Sequence, residues 1–112
     1  MRELCDKYKV LFIADEVQVG FARAGAFMCH YHSNVRPDMI VMAKALSGGM
    51  MPVSGVVCDD HIMLNVKPGE HGSTFGGNAL SCAVAKRAVE LVIEENMSER
   101  ALKLGEIMLN KL

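Results

Sequence analysis

The chain has 112 residues, of which 51% are hydrophobic and 22% charged, with a net charge of −1 at pH 7. That is room for one small domain, with too much apolar content for wholesale disorder and no charge excess to draw nucleic acid or an anionic membrane surface as a partner. No apolar run reaches the roughly 18 residues needed to span a bilayer, and the charged start MRELCDKYKV lacks the apolar stretch of a signal peptide.

Residues 1–8 read as the end of a helix. Val10–Ala14 (VLFIA) is a short apolar run of strand formers between charged neighbours, and residues 20–33 are irregular. Arg36-Pro37-Asp38 breaks the chain before a second buried-type strand, Met39–Ala43. A turn at Ser47-Gly48-Gly49 precedes a third strand, Ser54–Cys58. The segment 67–78, KPGEHGSTFGGN, is a loop with four glycines and a proline. Asn78 then caps a long helix to about Glu95 with Leu80, Val84, Ala88 and Leu91 on its apolar face. Ser98 caps a second helix, ending near Leu112, with Ala101, Leu104, Met108 and Leu112 on one side. Strands that are apolar throughout are those buried on both faces, which predicts an α/β fold with a mostly parallel sheet. In such sheets ligands collect at the carboxyl ends of the strands.

Cys5, Cys29, Cys58 and Cys82 are irregularly spaced with no CxxC pair, as expected of free thiols in a reducing compartment. His30, His32, His61 and His71 lack metal-ligand spacing and are expected at the surface, so no metal site is predicted.

Two strands end in charge: the first in Asp15-Glu16, the second in Lys44. Each has a plain explanation, a solvated acidic loop and a lysine that snorkels to water. Together, on parallel neighbours, they place an acid and an amine at one crevice. A lysine in an apolar setting becomes a neutral amine able to attack carbonyls. In HGSTFGGN (71–78), hydroxyls among glycines before a helix N-terminus form a phosphate-binding pattern, or simply a capped loop. An amine, a carboxylate and a phosphate site are the three fixtures that pyridoxal phosphate requires. The competing reading takes VLFIADE as the magnesium-handling strand of an ATPase. That needs an upstream GxxxxGK[ST] loop, and the sequence has none.

The segments IADEVQVGFARAG, RPDMIVMAKALSGGMMPVSGVV and HGSTFGGNALSCAVA, in this order, resemble the class III pyridoxal-phosphate aminotransferases over the whole chain. VRPDMIVMAKALSGG, CDDHIML and KPGEHGSTFGGN are most similar to the ornithine-using members. The resemblance implies the large domain of a fold-type I transferase, with residues 1–112 as its central cofactor-binding part, no second domain, and no activity in isolation. Unpaired strand edges and uncovered apolar faces follow from that expectation, with a tendency to aggregate.

The resemblance also implies pyridoxal 5′-phosphate bound covalently through Lys44, the catalytic residue. Asp15 would pair with the pyridine nitrogen, Gln18 would lie near the ring and its phenolic oxygen, and Ser73 and Thr74 would reach the cofactor phosphate of a partner subunit in a homodimer. The implied reaction moves the δ-amino group of ornithine to a 2-oxo acid, leaving glutamate semialdehyde, inside the cell in cytoplasm or mitochondrial matrix. A non-catalytic truncated paralogue that joins a full-length subunit is the alternative. Val19 and Ala24 stand where the family usually carries threonine, and Ala26 where a basic residue is common.

Overall fold

In the computed structural model, which describes residues 1–112, the entry into the sheet is organised by one carboxylate. The first helix, α1 (Arg2–Tyr8), ends at Lys9. Its left-handed φ of 53° turns the Lys9 N–H onto the Asp6 carbonyl and the Val10 N–H onto the Cys5 carbonyl. Asp38 Oδ2 then accepts both the Phe12 N–H and the Arg2 guanidinium, each at 2.7 Å. These donors, Phe12 first and Arg2 second, hold the Asp38 carboxyl below its ordinary pKa. With the Val10 and Phe12 amides engaged in this way, the first strand shortens. β1 is Ile13–Asp15, where the apolar run predicts Val10–Ala14.

β2 (Met39–Met42) pairs parallel with β1, with Ile13, Ala14 and Asp15 opposite Met39, Ile40 and Val41. β3 (Gly55–Cys58) pairs on the other side of β2 but antiparallel, with Met42 opposite Gly55 and Met39 opposite Cys58. The parallel expectation therefore holds for one of the two pairings. Between β2 and β3 the only regular element is a 3₁₀ turn, Lys44–Ser47, and no helix carries the chain back to the start of the sheet, as a parallel return requires. A short helix, α2 (Asp60–Met63), follows β3.

Asn78 caps α3 (Ala79–Glu94) as expected, its side-chain oxygen accepting the Ser81 N–H at 3.0 Å. The packed face of α3 matches the predicted stripe in part, with Val84, Ala88 and Leu91 half-buried. Leu80 is exposed, and Ser81 and Ala85 are the buried residues, set against the 3₁₀ turn after β2. Small side chains win there because the turn approaches closely: a Cβ on Gly48 would lie 3.5 Å from the Ala88 Cβ. α4 is Met97–Leu109, and its N-cap position is Asn96, not Ser98. Asn96 takes a left-handed φ of 49°, which lets α4 start directly after α3, and Ser98 falls inside the first turn. Of the predicted α4 stripe, Leu104, Met108 and Leu112 are exposed and Ala101 is half-buried.

The core forms in the segment expected to be irregular. Phe21, Ala22 and Met28 are buried, and Phe21 meets Phe27 edge to face with ring centres 5.6 Å apart. A 3₁₀ turn, Cys29–Ser33, closes that segment. Strands expected to be buried on both faces are half-open, with Ile13 51% and Val57 53% exposed. The radius of gyration is 16.2 Å, against about 13 Å for a compact domain of this length. The uncovered apolar faces thus match the expectation for an incomplete sheet. All four cysteines are free, and no helix is long and apolar enough to cross a membrane.

The two cap assignments separate cleanly in a stability measurement. Asn78→Ala should cost about 1 kcal/mol in denaturant unfolding, whereas Ser98→Ala should stay within about 0.5 kcal/mol. Equal losses would restore Ser98 as a cap.

Candidate active site

The apolar run of β2 stops at Ala43, which is extended, and the next residue reverses the chain: Lys44 has a left-handed φ of 45°. A non-glycine residue in this region costs about 1 kcal/mol, and such strain concentrates at functional positions. Behind it the turn is fixed by Ser47, fully buried, whose hydroxyl donates to the Met51 carbonyl at 2.6 Å. Gly48 and Gly49 continue in left-handed conformations and give the turn its low profile. Lys44 is exposed. The apolar burial expected from its position at the end of β2 is therefore not seen, although Phe21, Ala45 and Leu104 line a groove beside it.

Lys44 stands between two clefts. One, of about 670 Å³, is lined by Ser54, Ser73, Gly76, Gly77 and Asn78 as well as Lys44 itself. The other, of about 650 Å³, brings Lys44 together with Phe21, Ala22, Arg23, Gly48 and Arg100. Phe21 and Ala22 are themselves left-handed, with φ of 54° and 70°. Three strained non-glycine residues therefore border one groove.

Asp15 lies at the carboxyl end of β1, opposite Val41, so it and Lys44 share one end of the parallel pair. Its Oδ1 accepts the Val17 N–H at 3.0 Å, and no protein donor reaches Oδ2. Gln18 is exposed on the turn that follows. Ser73 shares the first cleft with Lys44, while Thr74, Asp15 and Gln18 line neither of the two. The loop 67–78 is exposed throughout. These groups fit pyridoxal phosphate: an accessible amine, a carboxylate with one oxygen free, and hydroxyls with glycine amides in a cleft of ligand size.

Glu16 is a residue whose role sequence reasoning missed. It is 2% exposed, and both its oxygens are occupied: Oε2 accepts the Cys29 N–H at 2.9 Å, while Oε1 accepts the His30 N–H at 2.9 Å and meets His30 Nδ1 at 2.8 Å. His30 is accordingly not at the surface, as predicted, but nearly enclosed beside this carboxylate. Facing an acceptor-only group, its Nδ1 carries the hydrogen. Burial works against the Glu16 charge, but the His30 and Cys29 amides and the His30 ring outweigh it, and its pKa falls below the ordinary 4.5. With Glu16 filled by protein donors, the acidic pair that an ATP-hydrolysing strand would need is reduced to one free carboxylate.

The aminotransferase class-III family model matches residues 1–112, and the chain belongs to that family. It is 56% identical over 110 residues to a probable mitochondrial ornithine aminotransferase of Caenorhabditis elegans, covering 98% of this chain and 26% of that one. Among solved structures, an ornithine δ-aminotransferase of Plasmodium falciparum superposes with a TM-score of 0.92 at 50% identity, over 97% of this chain and 28% of that one. An ornithine aminotransferase of Toxoplasma gondii, crystallised with partial occupancy of PLP at its active site, superposes with a TM-score of 0.91 at 44% identity, over 94% of this chain and 25% of that one. The chain thus spans about a quarter of the length of the curated relatives it matches.

Because the folded pKa of Glu16 is depressed, its stabilisation is complete above the unfolded value of 4.5 and drains away as pH falls through the lower folded value. Unfolding midpoints measured from pH 6 down to pH 3 should drop on the acid side, and Glu16→Gln should flatten that drop. An unchanged acid limb in the variant would contradict the assignment.

Proposed function

We propose that residues 1–112 form the central, cofactor-binding part of the large domain of an ornithine aminotransferase. The enzyme works with pyridoxal 5′-phosphate to move the δ-amino group of ornithine onto a 2-oxo acid, leaving glutamate semialdehyde. The observation that carries this reading is Lys44: a strained, accessible lysine at the end of β2, between a hydroxyl- and glycine-lined cleft and a cationic groove, at the same sheet end as Asp15. The relatives' names support the choice of amine.

When bound, pyridoxal phosphate supplies an electron sink that acidifies the C–H beside the transferred amine. The Lys44 amine provides the covalent anchor and, once displaced by substrate, the base: Nζ takes the proton from the δ-carbon of ornithine. The free oxygen of Asp15 would hold a proton on the ring nitrogen, while the Val17 N–H fixes the carboxylate through its other oxygen. Gln18, exposed on the turn after β1, would serve the phenolic oxygen of the bound cofactor. Ser73 and Thr74, with the Gly76 and Gly77 amides, provide donors for the phosphate. A homodimer belongs to this reading: the 67–78 loop is exposed, and its Ser73 and Thr74 would serve the phosphate of a partner subunit's site, although within one chain Ser73 also lines the cleft beside Lys44.

In the complete subunit, Lys44→Ala should lower transamination between ornithine and 2-oxoglutarate by about 10³-fold or more, since anchor and proton carrier go together. Ornithine should be consumed faster than acetylornithine or 4-aminobutyrate. Retained turnover in Lys44→Ala would overturn the site, and preference for another amine would overturn the substrate.

A further inference from the structure

We propose that Glu16 is the positioning residue of this site, closing residues 20–30 into a fixed loop that walls the groove beside Lys44 and holds Asp15 in place. The inference rests on the assignment of Lys44 and Asp15 to pyridoxal phosphate, and adds a residue that touches neither cofactor nor substrate.

Four polar groups of Glu16 act at once. Its N–H donates to the Val41 carbonyl at 2.9 Å, carrying the β1–β2 pairing one residue past Asp15, so the chain after Asp15 cannot swing. Its carbonyl accepts the Gly20 N–H at 3.0 Å, and a Cβ on Gly20 would lie 2.8 Å from that same oxygen, so this residue must be glycine. Its carboxylate takes the Cys29 and His30 amides, one per oxygen, at the far end of the loop. One residue therefore grips both ends of the loop that holds Phe21 and Ala22 in left-handed conformations. Inside it, the Ala22 N–H meets the Phe27 carbonyl at 3.2 Å, and Gly25 leaves the space that the Leu102 side chain of α4 fills.

The chemistry requires a glutamate. The two amides meet different oxygens, so glutamine would turn an N–H toward one of these donors, and aspartate is one methylene short. His30 adds a third donor to the same carboxylate, which fixes how its two oxygens are aimed.

The test compares the complete parent subunit with Glu16→Gln and with His30→Phe, which leaves both amide bonds to Glu16 intact. Three quantities are read: the dissociation constant for pyridoxal phosphate, the pH at which the absorbance of the bound cofactor titrates, and hydrogen exchange at the Cys29 and His30 amides without cofactor. Glu16→Gln should weaken cofactor binding about tenfold, displace the titration, and speed exchange at one or both amides. His30→Phe should shift binding and titration the same way by less, and stands as the test if Glu16→Gln does not fold. A scaffold role alone would lower the thermal midpoint and leave the titration unmoved. Binding and titration within twofold of the parent in the folded variants would overturn the inference. Absence of a cofactor band in the parent itself would instead overturn the Lys44 assignment on which it rests.

Discussion

The carboxylate of Glu16 meets three protein donors and almost no water, and the surroundings of Lys44 depend on that arrangement. A buried carboxylate is tolerable only when its oxygens are filled, and here the filling groups are backbone amides from the far end of a loop. The charge that burial opposes thereby becomes a tie between β1 and residues 29–30. The strained conformations at Phe21 and Ala22 persist because the loop is fixed at both ends. Neighbouring acids take different parts: Glu16 is filled and structural, while Asp15 keeps one oxygen open.

The fold around the site has few other anchors. Asp38 joins α1, the start of β1 and the start of β2, and the small face of α3 closes on the turn behind Lys44. Much of the remaining apolar surface, including Ile13, Val56 and Val57, is open to solvent. Faces of this kind are covered in a finished α/β sheet. That fits a chain matching about a quarter of its relatives' length and gives the uncovered strands a structural meaning.

What could be read in the sequence was local or was carried by motif. The Asn78 cap depends on a residue three positions on, and the order of strands and helices follows from apolar runs and glycines. Lys44, Asp15 and the 73–74 hydroxyls stood out through residue type and position, and the family resemblance named the cofactor. What was hidden depends on distant partners. Glu16 finds its donors 13 and 14 positions away, so nothing beside it separates a buried clamp from a solvated acid. The small packed face of α3 is likewise set by how closely the turn after β2 approaches it, whereas the antiparallel β3 follows from a connection after β2 that holds no crossover helix. His30 was missed for the same reason: a histidine without metal spacing has no sequence signal for a buried carboxylate partner.

The most direct test of the central claim is to trap the lysine. The complete subunit is incubated with pyridoxal 5′-phosphate, reduced with borohydride and mapped by peptide mass spectrometry, with Lys44→Ala as the control. A pyridoxyl adduct confined to Lys44, and lost in the control, is the expected result. An adduct on another lysine, or one spread over several and unchanged by Lys44→Ala, would contradict the assignment.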